Sequence, residues 1–234
     1  MTDISKLRPG DEQYMAFVGP PGQYDFMGAT QFRLLCTLGL RDKHKVLDFG
    51  CGSLRAGRFL MTYLNPECYF GIEPNPWLIQ DSLKNQIGND IIGIKKPSFD
   101  NNSDMQTDVF DTRFDFIVAQ SIFSHTSQEL VRTALEGFHE SLNNHGIAAV
   151  TFIEGQKDFE GEGWIYPGCV EYKLETIVKF AADANLFIKK IPWYHPRQSW
   201  FLLSKSMDRL PSDEALKYLN GAVLFDPEFQ NSCT

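Results

Sequence analysis

The chain has 234 residues, a formal net charge of −8 and 43% hydrophobic residues, which suits one or two globular domains. No apolar run approaches the ~18 residues of a membrane helix, and the first residues lack the apolar stretch of a secretory signal. The acidic charge argues against a nucleic-acid partner, which would need clustered Lys and Arg, and five cysteines without zinc spacing predict free thiols and a cytoplasmic protein.

After residue 40, short apolar runs alternate with amphipathic stretches. Buried strands are predicted at residues 45–49, 68–72, 90–94, 114–119 and 146–153. Helices are predicted at residues 54–64, 77–86, 126–142 and 170–184. Two final strands, at residues 187–193 and 199–203, have no helix between them and predict an antiparallel hairpin at one sheet edge. The predicted fold class is α/β, a doubly wound, seven-stranded, mostly parallel sheet with helices on both faces.

The predicted helix at residues 126–142 has the most distinct start. Thr126 and Glu129 have the spacing of a capping box, in which each side chain bonds the backbone N–H of the other residue. An apolar stripe at helical spacing follows, formed by Leu130, Ala134, Leu135, Phe138 and Leu142.

Three regions are predicted along the chain. Residues 1–30 are rich in Gly, Pro and aromatic residues without periodicity, which predicts an N-terminal arm or a lid over the site. Residues 31–205 form the main domain. Residues 206–234 form a C-terminal extension, with a short capped helix over residues 211–221 and a loop over residues 225–234.

A glycine turn follows the first predicted strand, in the sequence VLDFGCG at residues 46–52. Gly50 and Gly52 let the backbone approach a ligand at the carboxyl end of the strand. Glu73 ends the next strand, where a carboxylate can accept both ribose hydroxyls of an adenosine ligand. A dinucleotide fingerprint would have its third glycine at Arg55, and Asp48 would repel a pyrophosphate. A nicotinamide-dependent oxidoreductase is therefore disfavoured, and Asp48 suits a ligand with an ammonium group, such as S-adenosylmethionine.

Three segments together resemble the class I S-adenosylmethionine-dependent methyltransferase family: VLDFGCG, YFGIEPN at residues 69–75 and FDFIVAQSIFSH at residues 114–125. The resemblance covers roughly residues 30–205. The usual third glycine of the family is Leu54 in this chain. The resemblance implies S-adenosylmethionine as cofactor. It implies contacts to the methionine part from Asp48, Gly50, Cys51 and Gly52, and to the ribose from Glu73 and Pro74. It also implies a contact to the adenine from a residue within Asp100–Asp104, with Asp104 favoured, and contacts along the pocket from Gln120 and Ser121.

The segment after the fourth strand narrows the class of methyltransferase. The N/D-P-P-Y/F motif of nucleic-acid amino-methyltransferases is missing from it, which disfavours a nucleic-acid acceptor. Gln120 and Ser121 stand where metal-dependent catechol-type enzymes need an acid, so no metal is predicted.

Candidate catalytic residues are His125, Tyr24 and His195. His125 lies just past the fourth strand, where a neutral imidazole can accept the proton of an acceptor hydroxyl. Tyr24 belongs to the aromatic N-terminal arm, and His195 lies with Arg197 in a hairpin loop that can bind an anionic acceptor. A plainer structural role is also open for each residue. His125 can serve only to close the turn, Tyr24 can be a packed aromatic side chain, and His195 can belong to a solvated hairpin tip.

Three functions remain open from the sequence. The first is a metal-independent methyltransferase acting on a small-molecule acceptor. The second is similar to bacterial azetidine-2-carboxylate synthases, which cyclise the cofactor's own aminobutyryl group and release methylthioadenosine, with no other acceptor. The third is a non-catalytic cofactor-binding partner protein. Neither the acceptor atom nor the oligomeric state follows from the sequence.

Overall fold

The computed structural model describes residues 6–219, in which seven strands form one sheet with the order β3-β2-β1-β4-β5-β7-β6. The strands are β1 (Val46–Phe49), β2 (Tyr69–Ile72), β3 (Ser98–Asp100), β4 (Phe114–Ala119), β5 (Leu142–Phe152), β6 (Phe187–Ile191) and β7 (Ser199–Ser204). Six strands run in one direction, and β7 is antiparallel to both of its neighbours. The predicted doubly wound sheet with a terminal hairpin is confirmed.

Helices connect the strands and cover both faces of the sheet. They are α1 (Tyr14–Phe17), α2 (Tyr24–Thr37), α3 (Gly57–Tyr63), α4 (Pro76–Ser82), α5 (Asp90–Lys95), α6 (Gln128–Ser141), α7 (Leu174–Asp183) and α8 (Asp213–Leu216). A π-helical turn, Leu83–Ile87, extends α4. No helix of the described part of the chain has both the length and the apolar character needed to cross a bilayer.

The core consists of two apolar layers, one on each face of the sheet. Alternate residues of one strand point to opposite faces, so Leu47 and Phe49 of β1 pack in the layer formed with α6 and α7. Val46 packs in the opposite layer, formed with α2, α3 and α4. Both faces of the central strands are buried, which explains why they appear in the sequence as continuous apolar runs.

The prediction of a strand at residues 90–94 is wrong. Asp90–Lys95 is the helix α5, and the third strand is Ser98–Asp100. Ile91 and Ile92 pack against the core while Ile94 is 63% exposed, a distribution that fits one face of a short helix. The true strand has only three half-buried residues at the sheet edge, too few to produce a hydrophobic pattern.

The predicted capping box is also wrong. Helix α6 begins at Gln128, and its N-cap residue is Ser127. The hydroxyl of Thr126 instead donates a hydrogen bond to the carbonyl oxygen of Ile122, at 2.7 Å. Thr126 is the residue that ends the 3-10 turn Phe123–His125. This turn follows β4 and contains the candidate site residue His125.

The chain termini differ in how much the structure describes. Helix α2 is continuous across the proposed boundary at residue 30. The predicted capped helix of the C-terminal extension is present as α8, where the Ser212 hydroxyl accepts a hydrogen bond from the Ala215 N–H. The loop predicted for residues 225–234 and the fifth cysteine, Cys233, lie outside the described residues.

Candidate cofactor site and active site

The candidate site lies at the carboxyl ends of β1 and β4, where the strand order reverses. A doubly wound sheet opens a crevice at such a point, because the connections leave it on opposite faces. Asp48 of β1 lies directly beside Val118 of β4. The glycine turn after β1 therefore faces Gln120 and Ser121, which follow β4.

The glycine turn has a backbone that other residues would strain. Gly50 and Gly52 have φ angles of +73° and +54°. A Cβ atom at Gly50 would lie 2.1 Å from Cδ1 of Ile122, and one at Gly52 would lie 2.7 Å from Cγ1 of Val18. The N–H groups of Gly50 and Cys51 both donate to the carbonyl oxygen of Ile72, which fixes the turn against β2. The backbone of the turn is therefore free of side chains and packs directly against Ile122 and Val18.

Leu54 stands at the usual third glycine and keeps the left-handed conformation, with φ +58° and no exposed surface. We expect Leu54→Gly to destabilise the fold by at least ~1 kcal/mol, because losing a buried leucine costs ~2–5 kcal/mol and relieving the backbone returns only ~1–2 kcal/mol. Lys96→Gly is the control, because Lys96 has φ +47° at an exposed helix end and the substitution should be neutral or stabilising. Denaturant unfolding measures both, and a more stable Leu54→Gly protein would contradict the expectation.

Glu73 connects the end of β2 to the glycine turn. Its Oε2 accepts from the Gly52 N–H at 3.1 Å, and its Oε1 accepts from the backbone and side-chain N–H groups of Asn75, both at 2.8 Å. Only 6% of the residue is exposed, and burial raises the pKa of its carboxyl group. Pro74, beside it, is exposed. The carboxylate is held rigidly at the rim of the crevice.

Asp48 is a buried carboxyl group with one polar side-chain partner, the Tyr69 hydroxyl, which donates to its Oδ2 at 2.9 Å. Burial raises the pKa of Asp48 to about 7, because the charged form loses its hydration. Arg55 lowers this pKa and Glu73 raises it by smaller amounts. A cationic ligand group in the crevice would favour the ionised form.

The raised pKa of Asp48 makes fold stability depend on pH. The folded chain keeps this proton up to about pH 7, whereas the unfolded chain releases it near the ordinary pKa of 3.8, so stability falls as pH rises between these values. Asp48→Asn should remove that loss, and its stability advantage over the parent should grow with pH to on the order of a few kcal/mol. Tyr69→Phe removes the hydrogen bond that lowers the pKa of Asp48, so the loss of stability should extend to higher pH. Parallel stability curves for the parent and Asp48→Asn would contradict this assignment.

Gln120 is 7% exposed, and neither its amide oxygen nor its amide nitrogen has a hydrogen-bond partner among residues 6–219. Buried amides nearly always have partners, because an unpaired one costs ~1–3 kcal/mol. The next residue, Ser121, has φ +62°, and its N–H donates to the Thr151 hydroxyl at 2.8 Å. The unpaired amide and the glycine cradle fit a ligand with donors and acceptors of its own.

His125 lies in the turn after β4 and packs against two aromatic rings. The centroid of its imidazole lies 4.9 Å from that of the Tyr166 ring and 5.5 Å from that of the Trp164 ring. Its Nδ1 is 2.5 Å from the Gly168 carbonyl oxygen. Since a carbonyl only accepts, Nδ1 carries the proton of the neutral ring and Nε2 keeps its lone pair. Burial lowers the pKa of His125 from its ordinary value, so the ring is neutral at pH 7. This is the state that a general base needs.

His195 has the opposite arrangement. Its Nδ1 accepts from the N–H groups of Arg197, at 3.2 Å, and Gln198, at 3.0 Å. Nε2 therefore carries the proton of the neutral ring, 3.4 Å from the Ser121 hydroxyl. Burial and the charges of Arg55 and Arg197 lower the pKa of His195 to about 3. The geometry therefore favours His195 as a hydrogen-bond donor that positions the Ser121 hydroxyl.

Tyr24 lies below the glycine turn. Its buried hydroxyl donates to the Ser53 carbonyl oxygen at 2.6 Å, which ties the start of α2 to the turn. Asp104 is exposed in the segment after β3. Asn101 of the same segment contacts Glu73 instead, donating from Nδ2 to its carbonyl oxygen at 2.6 Å. The structure thus brings Asn101, another residue of the predicted segment Asp100–Asp104, to the predicted ribose end of the crevice.

An N-terminal segment covers the crevice. Phe17 packs between Trp77 and Tyr166, each at 5.3 Å, and its carbonyl oxygen accepts from the Tyr166 hydroxyl. Val18, the next residue, lies over Gly52. These contacts join residues far apart in sequence, and no local pattern announces them. They place Phe17 and Val18 beside the glycine turn.

Metal-ligating residues do not converge in this region. Within residues 6–219, no group of three or more His, Cys, Asp or Glu side chains could hold a metal ion. The four described cysteines, Cys36, Cys51, Cys68 and Cys169, are free thiols.

Comparison with solved structures shows which fold the chain has. No protein-family model matches the chain, and no curated protein is significantly similar to it. A TehB-like methyltransferase from Corynebacterium glutamicum is 19% identical with a TM-score of 0.54, over 76% of this chain and 88% of its own. Magnesium protoporphyrin IX methyltransferase from Synechocystis, solved with bound S-adenosylhomocysteine, is 12% identical with a TM-score of 0.57, over 80% of this chain and 84% of its own. The glycopeptide N-methyltransferase MtfA, complexed with S-adenosylmethionine, is 12% identical with a TM-score of 0.59, over 76% of this chain and 94% of its own. The chain has the fold of class I S-adenosylmethionine-dependent methyltransferases.

Proposed function

We propose that the chain is a methyltransferase that uses S-adenosylmethionine to methylate a small-molecule acceptor without a metal ion. The observation that carries the proposal is the buried amide of Gln120, which has no hydrogen-bond partner within residues 6–219 and follows β4 beside the glycine turn and its two buried carboxyl groups. Asp48 suits an ammonium group and Glu73 suits a pair of ribose hydroxyls. One ligand with both features is S-adenosylmethionine, with which neighbours of this fold were solved.

The residues around the crevice have separate tasks in this proposal. When bound, the cofactor supplies an activated methyl group on a sulfonium. Asp48 accepts hydrogen bonds from the ammonium group, and Gly50 and Gly52 allow close contact with the backbone. Glu73 accepts from the ribose hydroxyls, with Asn101 beside it. The polypeptide therefore contributes mainly alignment and the exclusion of water.

The acceptor lies beside His125, against Tyr166 and the half-exposed ring of Trp164. Nε2 of His125 removes the proton of an acceptor hydroxyl as the new oxygen–carbon bond forms and the bond between the methyl carbon and sulfur breaks. The N-terminal segment over Gly52 restricts the entrance, which supports a small acceptor over a polymer. The net charge of −8 supports an acceptor other than nucleic acid. A cytoplasmic location belongs to the same proposal.

The proposal is tested by incubating the purified chain with trideuteromethyl-labelled S-adenosylmethionine and a small-molecule cell extract, followed by mass spectrometry. We expect S-adenosylhomocysteine together with a labelled small molecule. An Asp48→Asn, Glu73→Ala double variant is the control and should form neither. A parallel reaction omits the extract. Methylthioadenosine formed there at an enzymatic rate would replace methyl transfer by cyclisation of the cofactor, and an intact bound cofactor in every reaction would indicate a non-catalytic binding protein.

A further inference from the structure

A backbone ladder fixes part of the segment between β5 and α7 against the turn that carries His125. The Ile165 N–H donates to the His125 carbonyl oxygen at 2.9 Å, and the Ser127 N–H donates to the Gly163 carbonyl oxygen, also at 2.9 Å. Trp164 lies between these two hydrogen bonds and forms an isolated β-bridge with the residue after His125. The backbone of Trp164 therefore has a fixed position beside His125.

Three aromatic rings form a corner at this ladder. The rings of Trp164 and Tyr166 are 28° from parallel, and their centroids lie 6.3 Å apart. The imidazole of His125 lies at 83° to the Tyr166 ring and at 58° to the Trp164 ring. Trp164 is 48% exposed, whereas His125 is 7% exposed. A flat, accessible indole therefore stands next to the nearly buried ring that the proposed function uses as a base.

Positive charge reaches this corner from the glycine turn. The carbonyl oxygen of Phe17 accepts from the Tyr166 hydroxyl. The carbonyl oxygen of the next residue, Val18, accepts from Nη1 of Arg55 at 2.9 Å. Burial raises the pKa of Tyr166, and Arg55 opposes this rise. A guanidinium at this place stabilises an acceptor oxygen that becomes anionic, and it disfavours a cationic acceptor.

The basicity of His125 decides which hydroxyl group it can serve. The ordinary pKa of histidine is 6.5, and burial lowers the pKa of His125. A phenolic hydroxyl has a pKa of ~10, whereas the pKa of water, which resembles an aliphatic hydroxyl, is ~15.7. Proton transfer to His125 is therefore ~10⁵-fold more favourable from a phenol than from an aliphatic alcohol.

We propose that the methyl acceptor is a planar aromatic molecule with a phenolic hydroxyl group, which lies against the exposed indole of Trp164 and places its hydroxyl at Nε2 of His125. This assignment rests on the proposed methyl transfer. The phenolic oxygen forms its bond to the methyl carbon while its proton passes to Nε2. The bond from that carbon to sulfur breaks, and its electron pair stays on sulfur. A planar ring suits this wall because aromatic rings favour offset stacking.

The first test identifies the product of the labelled reaction. The purified chain is incubated with trideuteromethyl-labelled S-adenosylmethionine and a small-molecule cell extract, and the labelled product is fragmented in a mass spectrometer. We expect an aryl methyl ether, with the label on an oxygen bound to an aromatic ring. A label on nitrogen, on carbon or on a molecule without an aromatic ring would overturn the proposal and leave methyl transfer intact. No labelled product from a chain that binds S-adenosylhomocysteine would instead refute the proposed function.

The second test measures the role of the indole. Trp164→Leu should raise the KM for the aromatic acceptor by ~10-fold or more, because it removes both stacking and buried area, while kcat and S-adenosylhomocysteine affinity stay near those of the parent. Trp164→Phe should recover most of the loss, since it keeps a ring. Phe187→Leu is the matched control, because Phe187 is 43% exposed at the amino end of β6, away from the carboxyl ends of the strands.

Binding without turnover gives a readout that does not depend on activity. Saturation-transfer NMR at saturating S-adenosylhomocysteine compares naphthol with its saturated counterpart, decahydronaphthol. We expect naphthol to bind more tightly to the parent chain, and we expect this preference to be lost in Trp164→Leu and kept in Phe187→Leu. Equal binding of the two compounds by the parent would overturn the proposal, as would an unchanged preference in Trp164→Leu.

Discussion

Replacing His125 with glutamine is expected to lower turnover by ~10²-fold or more while leaving cofactor affinity unchanged, because a positioned general base contributes ~10²–10⁴. The Gly168 carbonyl holds the Nδ1 proton, so Nε2 is the atom that accepts. Glutamine preserves much of the side chain's size but has no comparable basicity. Steady-state kinetics with the labelled acceptor and a binding titration with S-adenosylhomocysteine measure the two quantities separately.

The pH profile gives an independent measurement of the same role. Burial lowers the pKa of His125, so the base is neutral at pH 7 and loses its lone pair only in more acidic solution. The rate should fall on the acid side, below the ordinary histidine pKa of 6.5, and this limb should vanish in His125→Gln. His145→Gln is the control, because His145 is exposed on β5. Unchanged turnover in His125→Gln would remove His125 from the chemistry.

Replacing Glu73 with alanine should weaken S-adenosylhomocysteine binding by ~10²-fold, because two hydrogen bonds to a charged group contribute ~1.5–3 kcal/mol each and part of this is offset by relief of burial. The substitution also frees the N–H groups of Gly52 and Asn75. Titration calorimetry measures the affinity, and thermal unfolding without ligand measures any loss of fold. Glu73→Gln should recover part of the affinity, since its amide oxygen still accepts one bond.

Glu67→Ala is the control for Glu73. It removes a carboxylate just before the other end of β2, where Glu67 is exposed and, among the described residues, forms an ion pair only with Lys96. Its affinity and its unfolding temperature should stay near those of the parent, because exposed ion pairs contribute little. A Glu73→Ala chain that folds and binds as tightly as the parent would contradict the ribose assignment.

The fold follows from sequence wherever an element is long or fully buried. Strands β1, β2 and β4 are mostly apolar, and Gly50 and Glu73 mark where the first two of them end. The third strand was misplaced because Ser98–Asp100 is short and half-buried, while the isoleucines of α5 imitate a strand. The start of α6 was misplaced because Thr126 has two possible partners, and only the tertiary structure selects the Ile122 carbonyl.

The site follows from sequence where it depends on strand ends. Asp48, Glu73 and Gln120 come together because parallel neighbouring strands end at one edge of the sheet. The individual contacts of Val18 and Asn101 do not follow from sequence, because they join segments that are distant in the chain. The different protonation of His125 and His195 depends on single backbone groups, a carbonyl in one case and two N–H groups in the other. No hydrophobic pattern encodes such detail.

We propose that the crevice between β1 and β4 binds the sulfonium cofactor of methyl transfer. The most direct test is a calorimetric titration of the purified chain with S-adenosylhomocysteine. We expect one bound ligand per chain, and we expect the Asp48→Asn, Glu73→Ala double variant to lose this binding while remaining folded. A parent chain that gives no binding heat and no thermal stabilisation at saturating ligand, or a double variant that binds as well as the parent, would contradict it.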